Sequence, residues 1–274
     1  MNIIIVSLFG LALGSFVNAL VWRMREQEKA GKKGFKKPEL SIVNGRSMCV
    51  HCKHELAWYD LVPVFSWLTL GGTCRYCKKT ISWQYPVVEL LVGALAVSSL
   101  MFWPYETSSA LEWLMFVTWV IGLVPLVALV IYDLRWMIMP TSLIYVFDVL
   151  AVIFVTLLAI STKSWDVASS ALIGSIVIGG FFWIMYQISN GKWIGGGDVR
   201  YGFAMGAVLG WQKALFGLAL ASYLGTALVL VLLIMGKYRK KMRIPFGPFL
   251  ITATYLSMLF GQQAIDWYKS LVGM

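Results

Sequence analysis

Two aspartates in this 274-residue chain lie next to apolar segments, where a carboxyl group could do chemistry. Asp133 follows the apolar segment 114–132, and Asp198 ends the run Gly195-Gly196-Gly197-Asp198 before the short apolar segment 199–211. Acidic residues in or beside a membrane-spanning segment are costly and tend to be functional. Two carboxyl groups that share a proton can act as general base and general acid on one water molecule. The pattern is therefore compatible with hydrolysis by an aspartate pair, if the fold brings the two side chains together.

The same two aspartates also fit a structural role. Asp198 could cap the helix that follows it, and Asp133 could pair with Arg135 or Arg200. The glycines before Asp198 allow the close backbone approach that a substrate strand or a partner aspartate requires. Spacing alone leaves both interpretations open.

Four cysteines form two Cys-x-x-Cys pairs, Cys49/Cys52 and Cys74/Cys77, separated by 21 residues. Each pair makes a turn that points two sulfurs at one centre, and two such turns complete a tetrahedral zinc site. Two disulfides or four unused thiols are the alternatives, and a cytoplasmic location disfavours the disulfides. Four thiolates leave no open position for water, so the predicted role of zinc is structural.

The composition is that of an integral membrane protein. Hydrophobic residues make up 59% of the chain and charged residues 13%, whereas soluble proteins have about 45–50% and about 25%. The formal net charge of +10 is better explained by basic cytoplasmic loops than by nucleic-acid binding. Serine-hydrolase, zinc-protease, phosphate-loop and dinucleotide motifs are missing from the sequence.

Loop charges determine the predicted number of membrane crossings. Residues 23–83 hold 12 basic and 5 acidic residues, and residues 237–243 hold 5 basic residues and no acid. Because basic loops stay in the cytoplasm, an even number of crossings must separate these loops. Segment 199–211, about 20 Å long as a helix, must then supply the sixth crossing. The predicted crossings are 2–22, 85–103, 114–132, 142–160, 167–188, 199–211, 214–235 and 246–265.

The predicted fold is therefore an all-α, polytopic membrane protein of about eight transmembrane helices. Its parts are a first transmembrane helix (1–22), a cytoplasmic loop with the cysteine site (23–84) and a transmembrane core (85–274). This topology places Asp133 and Asp198 at the same, cytoplasmic depth. Small residues cluster in the sixth segment, which favours close packing of this helix; they are Gly202, Ala204, Gly206, Ala207 and Gly210.

Six motifs resemble those of the bacterial type IV prepilin peptidases, the prepilin leader peptidase/N-methyltransferases of the A24 group of aspartic proteases. One GxGD motif is weak, but six motifs in the family's order are highly specific. They are Gly14-Ser15-Phe16-Val17-Asn18 with Arg23, the two Cys-x-x-Cys pairs, Tyr85-Pro86-Val87-Val88-Glu89-Leu90, Asp133-Leu134 with Met139-Pro140, Gly195-Gly196-Gly197-Asp198, and Pro245-Phe246-Gly247-Pro248-Phe249.

The resemblance implies that Asp133 and Asp198 are the catalytic pair, supported by Gly195, Gly197 and Glu89. For Glu89, assistance to the site and pairing with a basic residue are equally favoured. The implied substrates are prepilins or pseudopilins, whose short basic leader is cleaved after glycine at the cytoplasmic face of the bacterial inner membrane.

The resemblance also implies N-methylation of the new N-terminal residue by S-adenosylmethionine, for which the sequence assigns no ligand. Structural Zn²⁺ on the cysteines is the second implied cofactor. Membrane lipids are expected partners, nucleic acid is not, and no oligomeric state is predicted.

Three positions depart from the family pattern. Thr141 replaces an acidic residue after the proline, Arg200 replaces a lysine, and Met24 replaces a proline. None of these changes removes a catalytic carboxyl group.

Two alternative functions come from other classes. An ion-coupled transporter would use acidic residues and a broken glycine-rich helix. It also predicts inverted repeats, which the sequence lacks, and charges near the midplane, whereas Asp133 and Asp198 are predicted at one surface. The second alternative is a non-catalytic factor for pilus or secretion assembly.

Overall fold

A computed structural model describes four stretches of the chain, which are residues 3–32, 40–42, 45–239 and 242–273. These residues fold mainly as α-helices, and the described part of the chain has no β-strand, only two isolated bridges. The predicted all-α class is confirmed. The helices are α1 (Ile3–Lys32), α2 (Phe65–Thr69), α3 (Gln84–Met101), α4 (Ala110–Trp136), α5 (Thr141–Thr162), α6 (Asp166–Ser189), α7 (Gly196–Ile234) and α8 (Gly247–Val272).

Six of the described helices, α1 and α3 to α7, are long and apolar enough to cross a membrane. The multi-pass architecture predicted from composition is therefore confirmed. Five of these helices each correspond to one predicted crossing, and α7 corresponds to both the sixth and the seventh. Helix α8 covers the eighth predicted crossing but is not among the six, so the count of eight remains a prediction.

Helix α7 is folded back on itself at Gly210. The dihedral angles of Gly210 are φ 73° and ψ 165°, a conformation that is essentially restricted to glycine. Beyond the bend, Gly217 lies against Met205 and Leu209, although a straight helix would separate Met205 from Gly217 by about 18 Å. The two arms, residues 196–209 (α7a) and 211–234 (α7b), form a helical hairpin.

Small residues let α6 reach the backbone of this hairpin. Gly174 of α6 lies against the carbonyl of Gly206 and against the peptide that joins Gly210 to Trp211. A side chain on either Gly174 or Gly206 would collide with the opposite helix. The close packing predicted from the small residues of this region is therefore present between α6 and α7.

The chain divides into two compact units, residues 1–101 and 102–274. In unit 1, α1 packs against α3 through glycines, and Gly14 lies directly against the backbone of Glu89. Helix α1 runs beyond the predicted end of the first crossing at Trp22, so Arg23 and Arg25 lie on the helix instead of in a loop.

In unit 2, α4 is buried along most of its length and packs against α5 and α8. Helix α7 packs against α5, α6 and α8. The buried hydroxyl of Tyr201 in α7a donates a 2.9 Å hydrogen bond to Thr254 of α8, and the ring of Tyr201 stacks on Phe147 of α5. Because consecutive helices and the two arms of the hairpin alternate in direction, the C-termini of α4, α6 and α7b and the N-termini of α5, α7a and α8 lie at one end of this unit.

Candidate active site

Asp133 lies in the last turn of α4 and is buried, with 7% of its surface exposed. Its Oδ2 accepts a 3.1 Å hydrogen bond from the backbone N–H of Gly247, the first residue of α8. Helix α4 ends immediately afterwards, because Met137 adopts a left-handed conformation and its N–H caps the Asp133 carbonyl. The carboxyl group is thus held between the end of one helix and the start of another.

Asp198 lies in the first turn of α7. Its Oδ2 accepts a 3.3 Å hydrogen bond from the N–H of Gly195, the residue that precedes the helix. The predicted capping role of Asp198 is therefore partly fulfilled. Asp198 is the third residue of the helix, and it stabilises the helix N-terminus without being the N-cap residue. Its Oδ1 is buried and has no hydrogen-bond partner in the described chain. A buried carboxyl oxygen without a partner is costly, which makes this atom a candidate acceptor for a hydrogen bond from water or substrate.

Met139, in the turn between α4 and α5, links the surroundings of the two aspartates. A Cβ atom at Gly197 would lie 2.7 Å from the Cβ of Met139, and one at Gly247 would lie 3.1 Å from its Cε and 2.5 Å from Oδ2 of Asp133. The charges of Asp133 and Asp198 are close enough to interact. The structure thus brings together two carboxyl groups that are far apart in the sequence.

The two arginines proposed as structural partners of Asp133 contact other groups. Arg200 donates a 2.6 Å hydrogen bond to Oγ1 of Thr141, and the guanidinium of Arg135 lies over the ring of Trp136. Within the described residues, neither aspartate takes part in an ion pair. The two departures at Thr141 and Arg200 therefore contact each other.

The predicted supporting glycines differ in their surroundings. Gly197 has no room for a side chain beside Met139, and a Cβ atom at Gly195 would lie 3.2 Å from Oδ2 of Asp198. Gly196, between them, meets only the ring of Tyr186 at 3.9 Å. Two of the three successive glycines thus lie against the aspartate site.

Glu89 lies in unit 1 and is buried, with 6% of its surface exposed. Its Oε2 accepts a 2.7 Å hydrogen bond from the N–H of Val64, and the hydroxyl of Ser15 lies within hydrogen-bonding reach. Val64 has φ 61°, which is unusual for a β-branched residue. Glu89 thus holds the loop before α2, and it has no basic partner in the described chain.

The four cysteines meet at one point in the loop of unit 1. Their sulfur atoms all lie within 4.8 Å of one another, and Sγ of Cys49 is 3.9 Å from Sγ of Cys77. All four are free thiols. Four thiols converging on one centre are the donor set of a tetrahedral metal site, so the residues fit the predicted ion.

The two cysteine turns have the same local geometry. The N–H groups of Lys53 and Lys78 donate to the carbonyls of Cys49 and Cys74 respectively, and both lysines are left-handed, with φ 61° and 59°. An isolated β-bridge closes each turn. The N–H of His51 points at Sγ of Cys49, 3.5 Å away. Because both turns have this geometry, a loop with few buried residues can bring its four sulfur atoms to one centre.

Both histidines lie outside the sulfur cluster and are exposed. The ring of His54 packs on Tyr76, with ring centroids 3.7 Å apart. The backbone of His54 lowers the pKa of Cys52, but desolvation and the thiols of Cys49 and Cys77 raise it to about 11. A bound metal ion must therefore displace a proton from this thiol.

Comparison with known proteins gives two family matches. The bacterial peptidase A24 N-terminal domain matches residues 8–103, and the type IV leader peptidase family matches residues 119–230. A prepilin leader peptidase/N-methyltransferase from Aeromonas hydrophila is 32% identical over 96% of this chain and 92% of its own length. The chain belongs to the prepilin leader peptidase/N-methyltransferase family.

Other members of this family cover the chain just as completely. The protein of the same name from Aeromonas salmonicida is 31% identical over 98% of this chain and 94% of its own length. The one from Pseudomonas aeruginosa is 27% identical over 97% and 93%. No solved structure matches this chain. The resemblance seen in the six motifs is confirmed, and both Asp133 and Asp198 fall within the type IV leader peptidase match.

Sequence reasoning missed three contacts of the candidate residues. Met139 and Gly247 lie in family motifs, and their membership of these motifs was the only sequence signal for their contacts. The bond between Val64 and Glu89 had no signal in the sequence, because neither residue type nor spacing pairs a valine N–H with a distant carboxylate.

Proposed function

We propose that this chain is a membrane aspartic endopeptidase that removes the leader from type IV prepilins or pseudopilins and then N-methylates the new N-terminal residue. Its family membership supports the activity. The observation that carries the active-site assignment is the meeting of Asp133 and Asp198 around Met139, with one oxygen of Asp198 buried and unpartnered.

In this proposal the aspartates activate water directly. The ionised carboxylate takes a proton from a water molecule whose oxygen attacks the scissile carbonyl, and the protonated carboxyl group donates its proton to the departing amide nitrogen. The C–N bond then breaks without a covalent enzyme intermediate. Asp133 and Asp198 exchange protonation states in each turnover, so they titrate as a pair.

Gly195 and Gly197 are proposed to position this pair. The N–H of Gly195 binds Oδ2 of Asp198, which restricts rotation of the carboxyl group. The absence of a side chain on Gly197 lets α7 approach Met139 closely. Both features set the separation between the carboxyl groups, on which shared protonation depends.

The site is assigned to the cytoplasmic face of the bacterial inner membrane, in a chain with eight crossings. The basic loops 23–83 and 237–243 support this orientation. The hairpin of α7 supplies two of the crossings, and its short arm α7a begins at the aspartate site. The basic leader of the substrate would remain on this side, while its apolar helix lies in the bilayer.

Two cofactors belong to this proposal. Zn²⁺ on Cys49, Cys52, Cys74 and Cys77 stabilises the loop of unit 1, because the two turns otherwise enclose few buried residues. S-adenosylmethionine supplies the methyl group.

One assay tests the function. Purified protein is incubated with a prepilin and S-adenosylmethionine, and leader cleavage and N-methylation are measured separately. Wild-type protein should do both, and Asp133→Asn and Asp198→Asn should each lower cleavage by about 10²–10⁴-fold. Full cleavage by both variants would refute the catalytic pair, and an inactive wild-type protein would favour a non-catalytic assembly factor.

A further inference from the structure

Unit 1 contains a cavity of about 360 Å³ that lies beside the cysteine turns. Small-molecule sites usually measure about 300–1,000 Å³ and combine apolar walls with a few polar groups. This cavity has that composition, because its walls are mainly apolar and include three aromatic rings and a few charged side chains. The rings are Trp22, Trp67 and Tyr85, and the charged side chains that matter below are Arg23 and Glu89.

Glu89 brings a carboxylate to the cavity that no cation of the described chain neutralises. Among the described residues, its close partners are the N–H of Val64 and the hydroxyl of Ser15. Asp60, which lines the same cavity, is different, because Nε of Arg75 binds it at 2.8 Å. A buried carboxylate without a counter-ion favours a ligand that carries a positive charge.

Arg23 provides the opposite charge on another part of the wall. It is buried, and its Nη1 donates to the carbonyls of Ser41 and Ile42 at 3.0 and 3.2 Å. A guanidinium has five N–H donors, so donors remain after these bonds, and Arg23 has no ion pair within the described residues. A ligand with both an ammonium and a carboxylate group would match Glu89 and Arg23.

Trp67 offers a fixed aromatic face. Its Nε1 donates to the carbonyl of Ile81 at 3.3 Å, and its ring packs against Trp83 with centroids 4.1 Å apart. Gly72 lies so close to the indole that a Cβ atom there would be 2.8 Å from it. A fixed indole stacks on planar bases and attracts cations over its face.

We propose that this cavity is the S-adenosylmethionine site of the enzyme. The ligand combines a purine, a sulfonium cation and an amino-acid end with both charges. Glu89 binds the ammonium group, Arg23 binds the carboxylate, and Trp67 holds the adenine ring. The inference rests on the proposed methyltransferase activity, and it assigns Glu89 to methyl transfer instead of peptide cleavage.

Photo-crosslinking of radiolabelled S-adenosylmethionine to the full-length wild-type protein tests the location. After proteolysis, the label should lie on peptides that contain Trp22 or Trp67, and excess S-adenosylhomocysteine should abolish it. Label confined to peptides from residues 102–273 would overturn the proposal.

Equilibrium dialysis with the same ligand tests the residues. Glu89→Gln retains an oxygen for the Val64 N–H but removes the charge, so affinity should fall at least about tenfold, with zinc content retained. Glu112→Gln, a control in unit 2, should bind normally. Asp198→Asn should bind normally while losing cleavage, which separates failure of this site from failure of the peptidase.

A second variant covers the case in which Glu89→Gln fails to fold and loses its zinc. Trp67→Phe retains an aromatic ring but reduces its stacking area, and it should weaken binding several-fold. Unchanged affinity in a correctly folded Glu89→Gln protein, or in Trp67→Phe when Glu89→Gln cannot be assayed, would refute the assignment.

Discussion

The backbone N–H of Gly247 donates a hydrogen bond to Oδ2 of Asp133, although 114 residues separate them in the chain. A Cβ atom at position 247 would lie 2.5 Å from that oxygen. The first residue of α8 therefore sets the orientation of a carboxyl group on α4. This contact gives the closing family motif a physical role at the aspartate site.

Gly247→Ala should lower the rate of leader cleavage with little loss of fold. The added methyl group must displace the Asp133 carboxyl group, and a shift of about 1 Å in a reacting group can cost about 10²-fold in rate. Kinetics with a prepilin peptide measure the effect. Gly225→Ala is the matched control, since its Cβ atom would make only an ordinary 3.7 Å contact with Phe249. Equal rates for the two variants would contradict the role of the Gly247 contact.

Two neighbouring glycines provide a second test. Gly197→Ala should reduce cleavage by roughly tenfold or more, because its Cβ atom would overlap Met139 and push the first turn of α7 away from Asp133. Gly196→Ala should remain close to wild type, since only Tyr186 lies near it, at 3.9 Å. Similar losses in both variants would indicate a general effect on the helix start, not on the spacing of the aspartates.

The hydrogen bond between Arg200 and Thr141 predicts graded effects for a series of substitutions at Thr141. Thr141→Val removes a hydroxyl that accepts a 2.6 Å bond, and such a lost bond costs about 0.5–1.5 kcal/mol of folding stability, so the midpoint of thermal unfolding should fall. Thr141→Ser retains the hydroxyl and should be nearly unchanged. Thr141→Asp would restore the acidic residue of the family pattern and should remain active. A Ser variant as destabilised as Val would show that the methyl group, not the bond, matters.

Metal binding can be measured independently of catalysis. Cys49→Ser or Cys74→Ser should release zinc and make the loop of unit 1 sensitive to proteolysis, whereas His51→Ala should retain zinc, because His51 is exposed outside the sulfur cluster. Since thiolates are the ligands, protons compete with the metal, and retention should fall as the pH is lowered. Unchanged metal content in either serine variant would refute the site.

Gly210→Ala should destabilise the α7 hairpin. The backbone at this position has φ 73° and ψ 165°, and forcing a side chain into such a region costs about 1–3 kcal/mol. The midpoint of thermal unfolding in detergent should fall accordingly. Gly180→Ala is the control, since open space surrounds it. An unchanged midpoint for Gly210→Ala would contradict the hairpin geometry.

The membrane architecture could be predicted because the apolar composition of a segment and the charge of a loop can each be read from a short stretch of sequence. The two aspartates could likewise be assigned to one face, since each follows or precedes an apolar segment. The pairing of segments 199–211 and 214–235 in one bent helix could not be predicted. A single glycine makes that bend, and the sequence does not show which of several nearby glycines will adopt the unusual dihedral angles.

The other features that could not be predicted depend on contacts between residues that are distant in the sequence. Gly247 reaches Asp133 only because α8 packs against α4, and Glu89 binds Val64 only because the loop folds onto α3. Neither contact produces a periodic pattern in the sequence. The extension of α1 to Lys32 was also missed, since a charge after an apolar segment marks the end of the membrane but not the end of the helix.

Three helix N-termini and three C-termini lie at the end of unit 2 that contains the aspartate site. Each N-terminus has the equivalent of roughly half a positive charge and each C-terminus roughly half a negative charge, so the helix dipoles largely cancel and leave the carboxylates without a full counter-charge. A fixed lysine or arginine there would compete electrostatically with the basic leader of a prepilin. Since neither aspartate takes part in an ion pair within the described residues, we expect the basic leader of the substrate to supply the counter-charge, so that leader binding and activation of the carboxylates are coupled.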